Sequence, residues 1–240
     1  IQITIFSGYS MNMNYLITGA NRGIGLALTE EVIRNNDRVI SLCRRSSDSD
    51  KLISLQNKNP SRVELREADV TVESDLINVS KNIERLDVLV CNAGIMGARG
   101  GMMDKDNEFD IISDVLMTNI AGPFFTIRAF LNQIKQSKSP KIIIISSHMG
   151  SQKHSGSESY FYRASKAAIN NIMITLSNEL RHSKIPIVSI HPGWVRTQMG
   201  GEYATLSTKE SASSIYKLIQ KIDMKKSGHF YNHDGSHLEL

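Results

Sequence analysis

The sequence predicts an α/β fold: a doubly wound parallel sheet with helices on both faces. Three observations predict it. Short apolar runs alternate with longer helix-like segments along the chain, the pattern of parallel strands joined by crossover helices. The run KIIIISS at Lys141–Ser147 places four isoleucines in succession. β-branched residues without polar alternation mark a strand buried on both faces, as parallel strands are. No internal repeat, low-complexity tract or linker divides the 240 residues, a length that suits one large core.

The elements follow in order. NYLITG (Asn14–Gly19) reads as a first strand, and Ile24–Asn36 as a helix with Leu28 and Val32 on one face. RVISLC (Arg38–Cys43) is a second strand, SDKLISLQNK a short helix and RVELREADV (Arg62–Val70) a third strand. A polar helix around Glu73–Ile83 precedes a fourth strand at LDVLVCNAG (Leu86–Gly94). A helix over about Asp114–Ser137, despite Gly122-Pro123, leads to the isoleucine strand. A long helix at Tyr160–Ser183 is followed by a sixth strand, IPIVSIHPG (Ile185–Gly193), and GHFYN (Gly228–Asn232) is a seventh. Residues 1–10 are apolar with no basic residues ahead of them, a poor signal peptide. They precede Met11 and Met13, so they are set apart as a leader of uncertain origin, and residues 11–240 are expected to form one domain.

Bulk properties exclude several classes. Hydrophobic residues make up 40% and charged residues 22% of the chain, with a net charge of +4. The basic residues are scattered, so a nucleic-acid partner is not expected. No apolar run is long enough to span a bilayer, so no membrane association is expected. Cys43 and Cys91 both fall in strand-like runs and read as free buried thiols rather than a disulfide. That suits a reducing, cytoplasmic location.

TGANRGIG (Thr18–Gly25) lies between the first strand and the first helix, with glycines at 19, 23 and 25. Glycine lets the backbone turn sharply and approach a ligand closely, and the helix N-terminus offers free N–H groups to a pyrophosphate. The spacing is G-x3-G-x-G, not the usual G-x-G-x-x-G.

Three further motifs follow in order: CNAG (Cys91–Gly94), a serine ahead of a Y-x-x-x-K pair, and PGWVRT (Pro192–Thr197) after the sixth strand. With the glycine turn, this series resembles the short-chain dehydrogenase/reductase family over essentially all of residues 13–235. SSHMGS and YRASKAAIN, with the short region after PGWVRTQMGG, look most like the branch that holds C-factor and sniffer-type carbonyl reductases. The resemblance implies a single-domain Rossmann fold with a seven-stranded parallel sheet.

It also implies catalytic roles. Residues four apart share a helical face; Tyr162 has Lys166 at that distance, whereas Tyr160 has Ala164. Tyr162 is therefore the tyrosine of Y-x-x-x-K, and Tyr160 lines the entrance or packs locally. A phenol's pKa of about 10 is high for acid–base work near neutrality, and a nearby ammonium is expected to lower it. In the family the tyrosine gives its proton to a carbonyl oxygen, and the lysine also bonds the nicotinamide ribose. A serine after the fifth strand polarises the same oxygen. Ser146 and Ser147 are both available; the family's Ser-x-x-Gly pattern, with Gly150, selects Ser147. Asn119 matches the asparagine that supports a water-mediated proton path from a distorted helix. The loop between Ser147 and Tyr162 is longer than the family's commonest spacing and is expected to face the substrate.

The cofactor assignment rests on the end of the second strand. NAD-binding folds usually carry an acid there, but here Arg44 and Arg45 follow Cys43, and Arg22 sits in the glycine turn. Arginine suits a 2′-phosphate. NADP(H) is the expected cofactor, with NAD(H) as an alternative; Arg44 is the phosphate reader, Arg22 its understudy, and Arg45 a solvated charge. By resemblance, Gly19, Asn21, Arg22, Gly23, Ile24 and Gly25 form the pyrophosphate turn, and Asp69 and Val70 face adenine. Asn92, Ala93 and Gly94 wall the adenosine side, while Pro192, Gly193, Val195 and Thr197 approach the carboxamide and phosphates.

His229, His233 and His237 recur every four residues, a metal-like spacing on a helix. The strand formers around them and Asp234-Gly235 argue against a shared helical face, so no metal is expected. The whole predicts hydride transfer between a nicotinamide cofactor and a small carbonyl or alcohol. The alternative is a C-factor-like nucleotide-binding signalling protein with little turnover. A homodimer or homotetramer is compatible with either. The short Met199–Leu206 segment predicts a small lid over an open pocket.

Overall fold

Eight strands form one sheet in the order β3-β2-β1-β4-β5-β6-β7-β8 in a computed structural model that describes residues 12–45 and 49–240. The residues set apart as a leader lie outside these. The strands are β1 (Asn14–Thr18), β2 (Arg38–Cys43), β3 (Val63–Glu67), β4 (Val88–Cys91), β5 (Lys141–Ile145), β6 (Ile187–His191), β7 (Phe230–Asn232) and β8 (His237–Leu238). All neighbours pair in parallel except β7 and β8. The helices are α1 (Gly23–Arg34), α2 (Asp50–Lys58), α3 (Glu73–Ser80), α4 (Phe109–Leu116), α5 (Gly122–Lys135), α6 (Tyr160–Glu179) and α7 (Thr208–Gln220).

The isoleucines of β5 explain the layering. Ile143 and Ile145 join one apolar core with residues of α1 and α7, whereas Ile142 and Ile144 join another with residues of α5 and α6. Successive strand side chains point to opposite faces. Each β5 isoleucine therefore meets a helix layer, and no position is left for a polar residue. Cys43 and Cys91 are buried in these cores. Burial pushes the Cys91 thiol up to about 12, which makes it chemically inert at neutral pH.

Three elements depart from the expectation. The sheet has an eighth strand, so the seven-stranded, wholly parallel sheet is corrected: the chain reverses after β7 through a turn closed by Gly235 N to Asn232 O (2.9 Å) and pairs β8 antiparallel. Gly235 takes φ +90°, open to glycine at little cost. Helix α7 lacked a sequence assignment, although Ser207 and Glu210 form a reciprocal capping box at its start, the S-x-x-E signature of a helix N-terminus. The helix expected from about Asp114 begins earlier, at Phe109, and is interrupted by a π-helical turn at Met117–Ala121. Gly122 and Pro123 enter the first turn of α5, where proline's missing N–H is tolerated.

The strand order reverses between β1 and β4. Ligands of open parallel sheets bind beyond the carboxyl ends of the strands at such a point. The β1 and β4 exits carry TGANRGIG and CNAG.

Candidate active site

The glycine turn is built for close backbone contact. Gly19 has φ +64°, and a Cβ there would lie 2.9 Å from Ala93 Cα. A Cβ on Gly25 would fall 2.3 Å from the Gly19 carbonyl, so α1 starts tightly under the turn. Asn92 binds this turn: its Nδ2 donates to the carbonyls of Thr18 (2.9 Å) and Gly19 (3.1 Å). Thr18, which sequence reasoning passed over, accepts the N–H groups of Asn92 and Ala93 through Oγ1, both at 3.0 Å. Its signal was its place directly before Gly19. The Asn92 side chain is thus a brace for the loop.

The loop after β6 closes over the same turn. Gly23 faces the Thr197 methyl, and the Arg22 guanidinium donates to Gln198 Oε1. Thr197 Oγ1 accepts from Gly200 N at 2.9 Å, Val195 is buried, and Gly193 takes φ +83°. Asn21 and Ile24 lie half-buried on the turn, next to Gly23. Beyond β3, Asp69 Oδ1 accepts from Thr71 N and Oγ1, at 2.9 and 2.7 Å, and buried Val70 packs against Gly122. Arg44, just past β2, is exposed and forms no ion pair among the described residues. Arg45 is exposed beside it.

Tyr162 and Lys166 lie one turn apart on the buried face of α6, 7% and 5% exposed, while Tyr160 is 47% exposed. The Ser147 side chain lies beside the Tyr162 hydroxyl and favours its charged form. Ser147 Oγ also accepts from Met149 N at 3.2 Å. The Ser146 hydroxyl is buried with no partner among the described residues. Gly150 explains the Ser-x-x-Gly pattern: a Cβ there would lie 2.6 Å from the Lys166 carbonyl carbon, so only glycine lets the turn after Ser147 seat on α6. Gly150→Ala is expected to lower the thermal midpoint by several degrees, since backbone overpacking costs about 1–3 kcal/mol, and to reduce turnover with it. Calorimetry and a rate assay check both.

Lys166 Nζ donates to the Ile145 carbonyl at 2.9 Å and lies 5.7 Å from the Tyr162 ring centre. Burial holds the Lys166 ammonium down to about 8. The expected lowering of Tyr162 by this ammonium is not found. Burial raises the phenol above its ordinary value, outweighing the Ser147 side chain and the positive charge of Arg99. Desolvation disfavours a buried phenolate, and here it dominates. Arg99 was missed in the sequence; it also donates to the Met199 carbonyl at 2.8 Å, tying the β4–α4 loop to the lid.

Asn119 is buried in the π-helical turn. Its Nδ2 donates to Ile95 O (2.8 Å) and Ser165 Oγ (3.0 Å), and its Oδ1 accepts from Ile95 N (2.9 Å). A Cβ on Gly94 would approach both Asn119 Oδ1 and Lys166 Nζ. The site therefore gathers the exits of β1, β4, β5 and β6 with the first turn of α6. The β7–β8 hairpin brings the rings of His229 and His237 together at 5.4 Å and turns His233 away from them to face Gly193.

A sequence model of the short chain dehydrogenase family matches residues 14–206. The carbonyl reductase Sniffer of D. melanogaster is 29% identical and superposes with a TM-score of 0.90 over 96% of this chain and all of that one. An NADPH-bound carbonyl reductase from chicken fatty liver is 29% identical, with a TM-score of 0.87 over 95% of this chain and 99% of that one. C-signal of Myxococcus xanthus is 32% identical over 63% of this chain and 90% of its own length.

Proposed function

Because the chain belongs to the short-chain dehydrogenase family, we propose that it is an NADP(H)-dependent oxidoreductase that interconverts a carbonyl and its alcohol. The observation that carries this reading is the buried Tyr162 phenol beside buried Ser147, with the buried Lys166 ammonium one helical turn on. A protein that only binds nucleotide has no evident need for that set.

The residues present fit a dinucleotide. The glycine turn leaves room for a pyrophosphate at the N-terminus of α1, and exposed Arg44 suits a 2′-phosphate. Asp69 and Val70 would border the adenine, and Pro192, Gly193, Val195 and Thr197 the carboxamide. When bound, the cofactor supplies the hydride that reduces the carbonyl carbon. Tyr162 gives its proton to the carbonyl oxygen; its raised pKa keeps that proton in place at neutral pH. Ser147 donates a hydrogen bond to the same oxygen and steadies the charge that develops on it. Lys166 holds the ribose and offsets the phenolate left behind. Asn119 keeps the loop and helix in register for proton resupply, through a backbone loosened by the π-turn.

A reducing, cytoplasmic location fits a chain whose two cysteines are both buried in its cores. The likeness to C-signal favours one second reading, a nucleotide-binding signalling role. A screen of NADPH oxidation over aldehydes, ketones and quinones separates the two: NADPH binding without turnover on any carbonyl selects the signalling role.

Cofactor choice is testable at Arg44. A charge-assisted hydrogen bond contributes about 1.5–3 kcal/mol, less where salt screens it. Arg44→Ala is expected to weaken NADPH binding about ten- to hundredfold and to leave NADH nearly untouched. Arg44→Asp moves preference towards NADH. Dissociation constants for both cofactors check this; equal losses would transfer the role to Arg22.

A further inference from the structure

Four histidines unused by this chemistry meet at one place. His148 follows Ser147, His191 ends β6, His233 lies just past β7, and His154 sits in the long loop before α6. His148 Nδ1 is 3.1 Å from His191 Nε2, and the His154 ring meets that of His148 edge-on at 5.0 Å. They line an open cavity of about 370 Å³. It lies at the carboxyl ends of β5, β6 and β7, the side of the sheet that carries Ser147.

Two buried ring nitrogens there, Nδ1 of His191 and Nδ1 of His233, have no hydrogen-bond partner among the described residues. A buried polar atom without a partner is costly, and a ligand's hydrogen bond would remove that cost. The tautomer does not alter the need. If His191 donates to His148 through Nε2, its Nδ1 is a bare acceptor; if it accepts there, Nδ1 carries the proton. A hydroxyl group, both donor and acceptor, satisfies either case.

The surroundings argue for a neutral ligand. Burial holds both His148 and His191 below the usual imidazole range, His191 at about 3, so neither is cationic at neutral pH. Of the nearby cations, Lys153 pairs with Glu239 at 3.4 Å, and the Arg163 guanidinium is turned to the His154 carbonyl. No group of three or more His, Cys, Asp or Glu among the described residues is arranged to hold a metal ion. Trp194 and Leu206 supply apolar wall, and Thr205 and Asn232 further polar atoms.

We propose that this histidine-lined pocket is a specificity subsite that receives a hydroxyl group on the far end of a neutral carbonyl substrate. It rests on the carbonyl-reductase reading above for the identity of the near end. The test uses the full chain. Specificity constants with NADPH are measured for para-ethylbenzaldehyde, para-(hydroxymethyl)benzaldehyde and terephthaldehydic acid, and for their homologues with longer spacers. In parallel, imidazole nitrogen resonances are followed while para-xylylene glycol, para-ethylbenzyl alcohol or Zn²⁺ is added.

The hydroxymethyl aldehydes are expected to be preferred about tenfold over their methyl-ended partners. His233→Phe should bring that ratio to about one while its NADPH affinity and thermal midpoint establish that it is folded. The glycol should shift the His191 and His233 resonances of the wild type, a readout that needs no variant. Equal specificity constants with no glycol shift overturn the proposal, as does a preference for the carboxylate. A zinc response at the same resonances with the glycol silent also overturns it. If no aldehyde turns over yet the glycol shifts both resonances, the pocket stands and the reductase reading falls. If neither occurs, the subsite falls.

Discussion

Replacing Tyr162 by phenylalanine is expected to lower turnover by about 10²–10⁴-fold, the usual contribution of a positioned acid–base group, with NADPH binding largely intact. The ring remains and packs as before; only the hydroxyl beside Ser147, with its transferable proton, is lost. Tyr160→Phe serves as the paired control. It changes a half-exposed hydroxyl on the other side of the helix start and should retain most activity. Steady-state rates for both variants, with NADPH titrations, check the assignment. A large loss in Tyr160→Phe with little in Tyr162→Phe would overturn the helical-face argument. The raised pKa of Tyr162 adds a sign to the pH dependence. Reduction needs the protonated phenol, so it should persist through neutral pH and fall only in alkaline solution. Oxidation of an alcohol needs the phenolate and should rise over the same alkaline range.

How much of this was legible in the sequence follows from the range of the forces involved. Strand β5 was readable because four isoleucines in a row admit only a two-sided apolar setting, and the two core clusters that share them are the reason. The pairing of Tyr162 with Lys166 was readable because helical periodicity is local. Strand β8 is two residues long and is held by a turn and one partner, so it leaves no periodic trace. Helix α7 did leave one, the Ser207–Glu210 capping box, which went unread. The balance on Tyr162 could not be read at all. Its pKa depends on how deeply the packing of distant segments desolvates it, and no short-range pattern encodes that depth. The histidines are a further case. Positions 148, 154, 191 and 233 are far apart in the chain, and only the parallel order of β5, β6 and β7 brings their exits together. Of the evenly spaced set 229, 233 and 237, the hairpin brings the first and last rings together and turns His233 away to Gly193.

Lys166→Met is expected to damage both catalysis and cofactor binding, because in the proposed mechanism one ammonium serves two partners. Among the described residues its Nζ has a single protein acceptor, the Ile145 carbonyl, although an ammonium carries three donors. The remaining donors are free for ribose hydroxyls on one side, and the charge for the Tyr162 phenolate on the other. Methionine preserves much of the length and apolar packing of the stem but removes the donors and the charge. Turnover should fall by at least about 10²-fold, since the phenolate formed on proton transfer would stand in a desolvated site without a counter-charge. NADPH affinity should fall about tenfold for the lost ribose hydrogen bonds. The lowered pKa of Lys166, about 8, gives a second readout. As pH rises through that value the wild-type ammonium loses its proton, so NADPH affinity should weaken over this range, and the inflection should vanish in Lys166→Met. Fluorescence titrations of NADPH at several pH values, in wild type and variant, measure both effects. Unchanged NADPH affinity in the variant would leave Lys166 with the electrostatic role alone and return the ribose to other residues of the site.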